Sequence, residues 1–95
     1  MIQYDDIRYS LTDLKPQLEE LRTSLDLEKA EEDIAKLQHD AQAPGFWDDP
    51  DNSQKVLQRI KQLQAKVERY NKLHALYDDT LTLIEMADEA GDESL

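Results

Sequence analysis

Two histidines are the only side chains in this sequence of 95 residues that ordinarily titrate near neutral pH, and cysteine does not occur. His74 falls on the apolar side of its predicted helix, where a histidine is more often packed than catalytic. The 22 acidic residues make carboxylate pairs such as Glu28 and Glu32 unavoidable, and such a pair needs a pocket to act as acid and base. The sequence has no glycine-rich phosphate loop and no Ser-His-Asp order. The residues therefore predict a chain that is not an enzyme and that holds no cofactor.

Four basic residues lie close together on the predicted third helix. At 100° per residue they fall within about 80° of one another, along one edge of the apolar stripe. They are Lys55, Arg59, Lys66 and Arg69. One interpretation pairs them with acidic residues of the antiparallel neighbouring helix, as charges beside a coiled-coil seam commonly do. The other interpretation makes them contacts for RNA phosphates or for a protein partner.

Charge is distributed unevenly along the chain. The whole sequence has a formal net charge of −11, which repels nucleic acid over most of the surface. Residues 55–72 contain six lysines and arginines against one glutamate, a net charge of +5. Residues 73–95 contain seven acidic residues and no basic one, a net charge of −7. Any contact with nucleic acid is therefore expected on residues 55–72.

The unusual residues are concentrated in APGFWDDPDN, residues 43–52, which include the only Phe and the only Trp. Pro44 and Gly45 suit a sharp turn, and Asp49 followed by Pro50 suits the start of a helix. The predicted structural hinge consists of Pro44, Gly45, Phe46, Trp47, Asp49 and Pro50. In one interpretation both aromatic rings fold back and plug the end of a helical bundle; in the other they form an exposed tip that docks a partner. The aspartates lack the alternating ligands of a calcium loop, so no metal site is predicted.

Apolar residues at heptad spacing predict a first helix over about 4–23. Pro16 lies inside this helix, where it removes a hydrogen bond. Because the apolar seam keeps its register across the proline, we predict a kink at this point. The alternative is a break, with Thr12 or Asp13 capping a second helix.

Two further helices follow. The second is predicted over about 27–42, with the carboxylate of Asp26 capping its first amides. The third is predicted over about 50–90 and contains no glycine or proline between Pro50 and Gly91. The expected fold is all-α: a three-helix antiparallel bundle, or coiled-coil hairpin, with one long third helix.

The length allows one small helical domain over residues 1–95. The sequence has neither a secretory signal nor an apolar run long enough for a membrane, so we expect a soluble cytoplasmic protein without membrane contact. The second half of the third helix extends past the second helix and has a widened apolar stripe that includes Leu73, Leu76 and Leu83. Either the first helix packs there, or a helix outside this sequence does, or the chain self-associates. We expect the isolated chain to form a homodimer through that stripe.

The segments LRTSLDLEKAEEDIAKLQ and APGFWDDPDNSQKVLQRIKQL resemble the N-terminal domain of bacterial class-I peptide chain release factors, the release factor 2 type in particular. The family has a Leu-Arg-x-x-Leu-Asp joint, which corresponds here to Leu21, Arg22, Leu25 and Asp26. It also has an aromatic loop about twenty residues later, which corresponds to Pro44, Phe46, Trp47 and Asp48. Pro16 is not part of that pattern.

The resemblance implies a role in translation termination. The family reads stop codons with a Ser-Pro-Phe tripeptide and releases the peptide with a Gly-Gly-Gln loop, both in later domains, and neither tripeptide occurs here. The resemblance therefore implies a non-catalytic first domain, without the codon-reading and peptide-release domains. Its implied partners are the ribosome, at the stalk base of the large subunit, and the remaining domains of the same chain. The alternative function is a structural coiled-coil adaptor or prefoldin-like interaction module.

Overall fold

A computed structural model describes residues 4–91, and every regular element within them is helical. The helices are α1 (Tyr4–Thr12), α2 (Lys15–Ser24), α3 (Leu27–Asp40) and α4 (Pro50–Ala90), with a 3₁₀ turn at Phe46–Asp48. The 41 residues of α4 are about 61 Å long at 1.5 Å per residue, and they set the 65 Å length of the molecule. The predicted all-α fold is therefore confirmed, and the long helix predicted as the third is α4.

An antiparallel hairpin of α3 and α4 forms the most extensive contact between helices. Leu27 is the most deeply buried large side chain, with 1% of its surface exposed, and Ala30 one turn later is also buried. On α4 the buried apolar residues opposite α3 include Ile60 and Leu63. The heptad seam of each sequence segment therefore becomes the packed face of the hairpin.

The predicted first helix is divided into α1 and α2, which together are called the first rod below. This division corrects the predicted kink. Pro16 is the second residue of α2, a position where a missing N–H leaves no helical bond unmade. Its ring excludes the carbonyl of Thr12 from continuing the helix, so the chain turns at residues 13–14. Thr12 does not cap α2, because its hydroxyl donates back to the carbonyls of Arg8 and Tyr9. Leu14 stays right-handed at φ −78° and ψ −17°, which explains why the apolar register survives the break.

The joint between α2 and α3 also differs from the prediction. Asp26 precedes α3, but its side chain makes no capping hydrogen bond. Instead its backbone is left-handed at φ 53°, a conformation that aspartate tolerates better than most residues. The Asp26 N–H donates to the carbonyl of Thr23, and the Asp26 carbonyl accepts from Ala30, each at 3.0 Å. One backbone residue thus ends α2 and begins α3.

The C-terminal half of α4 extends beyond α3 and is packed against α1. Tyr77 and Ala87 are buried there. The Arg8 side chain donates from Nη2 to Asp88 Oδ2 at 2.7 Å, and this hydrogen bond raises the pKa of Arg8. The first rod therefore covers the part of α4 that would otherwise stand alone. None of the helices within residues 4–91 has an apolar stretch sufficient to cross a bilayer.

Candidate partner-binding site

The tip, residues 44–50, is a tight turn built from backbone hydrogen bonds. Phe46 donates its N–H to the carbonyl of Ala43 at 3.1 Å, and Asp48 donates to the carbonyl of Gly45 at 3.0 Å. Gly45 has φ 84°, a left-handed value that disfavours residues with a Cβ atom. The space is sufficient for a Cβ, since the nearest atom would be Asp48 Oδ2 at 3.5 Å, so the backbone conformation alone requires glycine. The glycine therefore allows the turn that places the two aromatic residues.

Asp49 and Pro50 begin α4 as the sequence predicts. The Asn52 N–H donates to Asp49 Oδ1 at 3.2 Å, and Pro50 takes the first helical position, where its missing N–H is not needed. Ser53 is buried behind this start, with its hydroxyl donating to the carbonyl of Pro50 at 3.1 Å. These bonds attach the tip firmly to the long helix.

The two aromatic side chains of the tip have opposite environments. Phe46 is 7% exposed and closes the end of the hairpin, whereas Trp47 is 65% exposed. The prediction that both rings fold back is therefore right for Phe46 and wrong for Trp47. Consecutive residues of a 3₁₀ turn point about 120° apart, so only one of them can face the bundle. The Trp47 ring instead packs at 89° to Phe46, with 5.1 Å between the ring centroids.

The basic face consists of the four predicted cations of α4. Because α4 is one continuous helix, Lys55 and Arg69 are separated by about 21 Å along it. Lys66 is half-buried and the other three are exposed. Within residues 4–91 no carboxylate lies within ion-pair distance of these cations. On α3, Asp33 pairs with Lys29 of its own helix at 3.3 Å, so the predicted pairing between helices is not seen.

Arg22 places a further positive charge beside α4, and the sequence did not indicate this contact. Its guanidinium lies 5.7 Å from the centroid of the Tyr70 ring, and Tyr70 directly follows Arg69 on α4. This contact brings a cation of α2 onto α4. The contact between Arg22 and Tyr70 depends on the position of α2 relative to α4. The residue pattern of α4 alone could therefore not reveal it.

An apolar groove lies between residues 11–21 of the first rod and residues 73–80 of α4. Its volume is about 500 Å³. It is lined by Leu11, Leu14, Gln17, Leu18, Leu21, Leu73, Leu76, Tyr77 and Thr80. Leu14, Leu73 and Leu76 are 44%, 43% and 63% exposed, so the groove is an unfilled apolar surface rather than core. Leu73 and Leu76 of the widened stripe predicted from the sequence line one wall of it, and Leu83 does not.

The candidate chemical residues lie on the exposed surface of their helices. His74 Nδ1 lies 3.2 Å from Asp78 Oδ2, on the exposed surface of α4 between the rings of Tyr70 and Tyr77. The carboxylate pair Glu28 and Glu32, on the first two turns of α3, is also exposed. Among residues 4–91 no three acidic or histidine side chains come together in a way that could hold a metal ion.

Comparison with known proteins gives consistent matches. The PCRF domain matches residues 30–95. Peptide chain release factor 2 of Streptomyces avermitilis is 39% identical over 87 residues, which are 92% of this chain and 24% of that protein. The same factor of Acidothermus cellulolyticus is 36% identical over 92 residues, 97% of this chain and 25% of that protein. In Exiguobacterium sp. it is 32% identical over 94 residues, 99% of this chain and 26% of that protein.

The chain therefore spans about a quarter of the length of these curated relatives. No solved structure gives a significant match. The PCRF match begins within α3 and includes the tip, the basic face and the whole of α4. By these matches the chain belongs to the peptide chain release factor family.

Proposed function

We propose that this chain is a helical contact and positioning domain of a release factor 2-like protein, which promotes stop-codon-dependent release of the nascent peptide on cytoplasmic ribosomes. The observation that carries the proposal is the alignment of nearly the whole chain with about a quarter of each release factor 2 relative. Codon reading and peptide release would belong to other domains of the protein, and this domain would be non-catalytic.

The shape of the chain supports a contact role. It is a rod 65 Å long with an exposed indole at one end of α4, so it can span from the remaining domains of its own chain to a distant partner. The resemblance to the family suggests the stalk base of the large ribosomal subunit as that partner. His74 and Asp78 lie on an open surface, and water there would weaken any electrostatic assistance to a reaction.

Peptide release from bacterial ribosomes halted at a stop codon tests the proposal. We expect the chain alone to release no peptide, because it would make only one of the contacts of the complete factor. In excess it should slow release by an intact bacterial release factor 2, because the two compete for one contact. If excess chain neither pellets with ribosomes nor changes the release rate, the proposal is wrong and the coiled-coil adaptor is favoured.

We further propose that the basic face contacts ribosomal RNA. Lys66 and Arg69 have no carboxylate partner within the described helices, so their charges remain available to phosphates. Reversing both with Lys66→Glu and Arg69→Glu should lower ribosome affinity by about 10-fold or more at low salt. The slope of log affinity against log salt concentration should fall by about 1 for each lost phosphate contact.

The matched control is the pair Lys61→Glu and Lys72→Glu. It changes the net charge equally on the same helix, but at roughly 100–120° from the centre of the basic face. We expect the control to reduce affinity much less and to leave the salt slope almost unchanged. Equal effects of the two pairs would mean that net charge alone acts. A fall in melting temperature without any loss of binding per folded molecule would mean that the basic face has only a structural role.

We also propose that the isolated chain pairs with a second copy through the groove. An antiparallel pair of α4 helices would bring residues 55–72, at +5, against residues 73–90, at −5. Leu73 and Leu76 would lie near the middle of this contact. Sedimentation should detect a dimer that Leu76→Glu abolishes, while Leu57→Glu, at an exposed leucine of α4 outside the groove, leaves it intact. A single species of 11.0 kDa at high concentration would contradict the pairing.

A further inference from the structure

We propose that Trp47 is the anchor by which the tip binds a basic protein of the large ribosomal subunit. The inference deepens the proposed function and rests on it, because it names the residue and the chemistry of one contact. The basic face is a separate surface of α4 with the opposite charge, and its proposed ligand is RNA.

The exposure of Trp47 is the first observation. Its side chain is 65% exposed although the neighbouring Phe46 is 7% exposed. A tryptophan carries a large apolar area, which is costly to leave in water and is typical of residues that dominate binding interfaces. Folding of the described residues places the indole at the outermost turn of the hairpin, where it does little to stabilise the fold.

The second observation is that the indole is held in place before any partner arrives. Its ring packs edge-on against buried Phe46, with centroids 5.1 Å apart. The 3₁₀ turn beneath it is fixed by the Asp48 N–H bond to Gly45, and the Asp49 cap joins that turn to α4. A side chain restricted in this way loses little conformational entropy on binding, which favours affinity.

The charge around the tip selects the class of partner. Residues 40–52 contain four aspartates and neither lysine nor arginine. Asp48 and Asp51 are exposed on either side of the cap residue Asp49. Phosphates are repelled by such a surface, whereas lysine and arginine side chains are attracted to it. The expected partner surface has an apolar pocket for the indole and a basic rim for the aspartates.

Binding of the 95-residue chain to purified bacterial large ribosomal subunits, and to their RNA stripped of protein, tests the inference. We expect Trp47→Ala to weaken binding to intact subunits by about 30-fold or more, as truncation of an interface anchor does. Trp47→Phe keeps an aromatic ring and should recover much of the loss. Tyr9→Ala is the matched control, because Tyr9 is equally exposed, at 68%, but lies on α1 away from the tip.

Each outcome has a distinct meaning. Unfolding curves check that Trp47→Ala still folds, as its exposure predicts. If the wild-type chain binds subunits and Trp47→Ala binds equally well, Trp47 is not the anchor, and the proposed function stands. If the wild-type chain binds protein-free RNA as tightly as intact subunits, with the same sensitivity to Trp47→Ala, the partner is RNA and the inference is wrong. If the wild-type chain does not bind subunits at all, both the inference and the proposed function fail.

Discussion

The two halves of the bundle make different use of the same long helix. Toward its N-terminus α4 packs against α3, and Leu27, Ile60 and Leu63 are all buried there. Toward its C-terminus α4 faces α1 and α2, and Leu14 and Leu76 remain partly exposed on either side of a groove of about 500 Å³. Both halves have heptad leucines, but the exposed leucines that line the groove lie in the second half.

The difference follows from the continuity of the packing partner. α3 is an unbroken helix of 14 residues, so its seam can follow α4 closely. The first rod is divided at residues 13–14, and α2 makes fewer contacts with α4 than α1 or α3 makes. An apolar seam on one helix therefore becomes core or groove according to whether its neighbour is continuous.

The largest expected effect tests the packed half. Leu27→Ala removes a side chain that is 1% exposed and leaves a cavity between α3 and α4, which should lower the free energy of unfolding by about 2–5 kcal/mol. The matched change in the open half is Leu14→Ala, where 44% exposure predicts a loss of less than about 1 kcal/mol. Urea unfolding of both variants measures the difference. Similar losses for the two would show that the groove is closed in solution.

A smaller effect is expected at the two ends of α4. Gly45 and Gly91 both have positive φ, at 84° and 63°. Gly45→Ala must keep its left-handed conformation for α3 to reach α4, so it should cost about 1–2 kcal/mol in unfolding free energy. Gly91→Ala has a similar backbone strain, but Gly91 only ends α4 and joins it to no other described helix, so the backbone there can change at a smaller loss. An equal loss at the two glycines would contradict the view that the hairpin turn is the constrained end.

Much of the fold could be predicted from the sequence because the information is local. The heptad spacing predicted which faces pack, and the Asp49–Pro50 pair predicted where α4 begins. The division of the first rod was not the favoured prediction, because an uninterrupted apolar register is compatible with either a kink or a break. Asp26 was assigned a common cap role, but a left-handed backbone cannot be read from one aspartate.

The candidate surfaces were less predictable because each depends on geometry between elements. The basic face needed only a helical repeat, so its four members could be named in advance. Burial of Phe46 and exposure of Trp47 depend on which direction each residue of a 3₁₀ turn points, and the sequence treats the two rings alike. Arg22 reaches Tyr70 only through the placement of α2, which is set by the break.

The smallest expected effect on stability addresses the origin of the groove. Pro16→Ala restores an N–H that can donate to the carbonyl of Thr12, and it removes the ring that blocks a continuous helix. Leu14 is already right-handed, so little rearrangement is needed and the unfolding free energy should change by less than about 1 kcal/mol. Amide exchange at residues 13–16 should slow as the two helices join, while Pro50→Ala, at a helix start fixed by the Asp49 cap, should lengthen no helix. If amide exchange at residues 13–16 stays fast in Pro16→Ala, the break between α1 and α2 is caused by the packing of α1 on α4 and not by the proline. The groove would then result from tertiary packing.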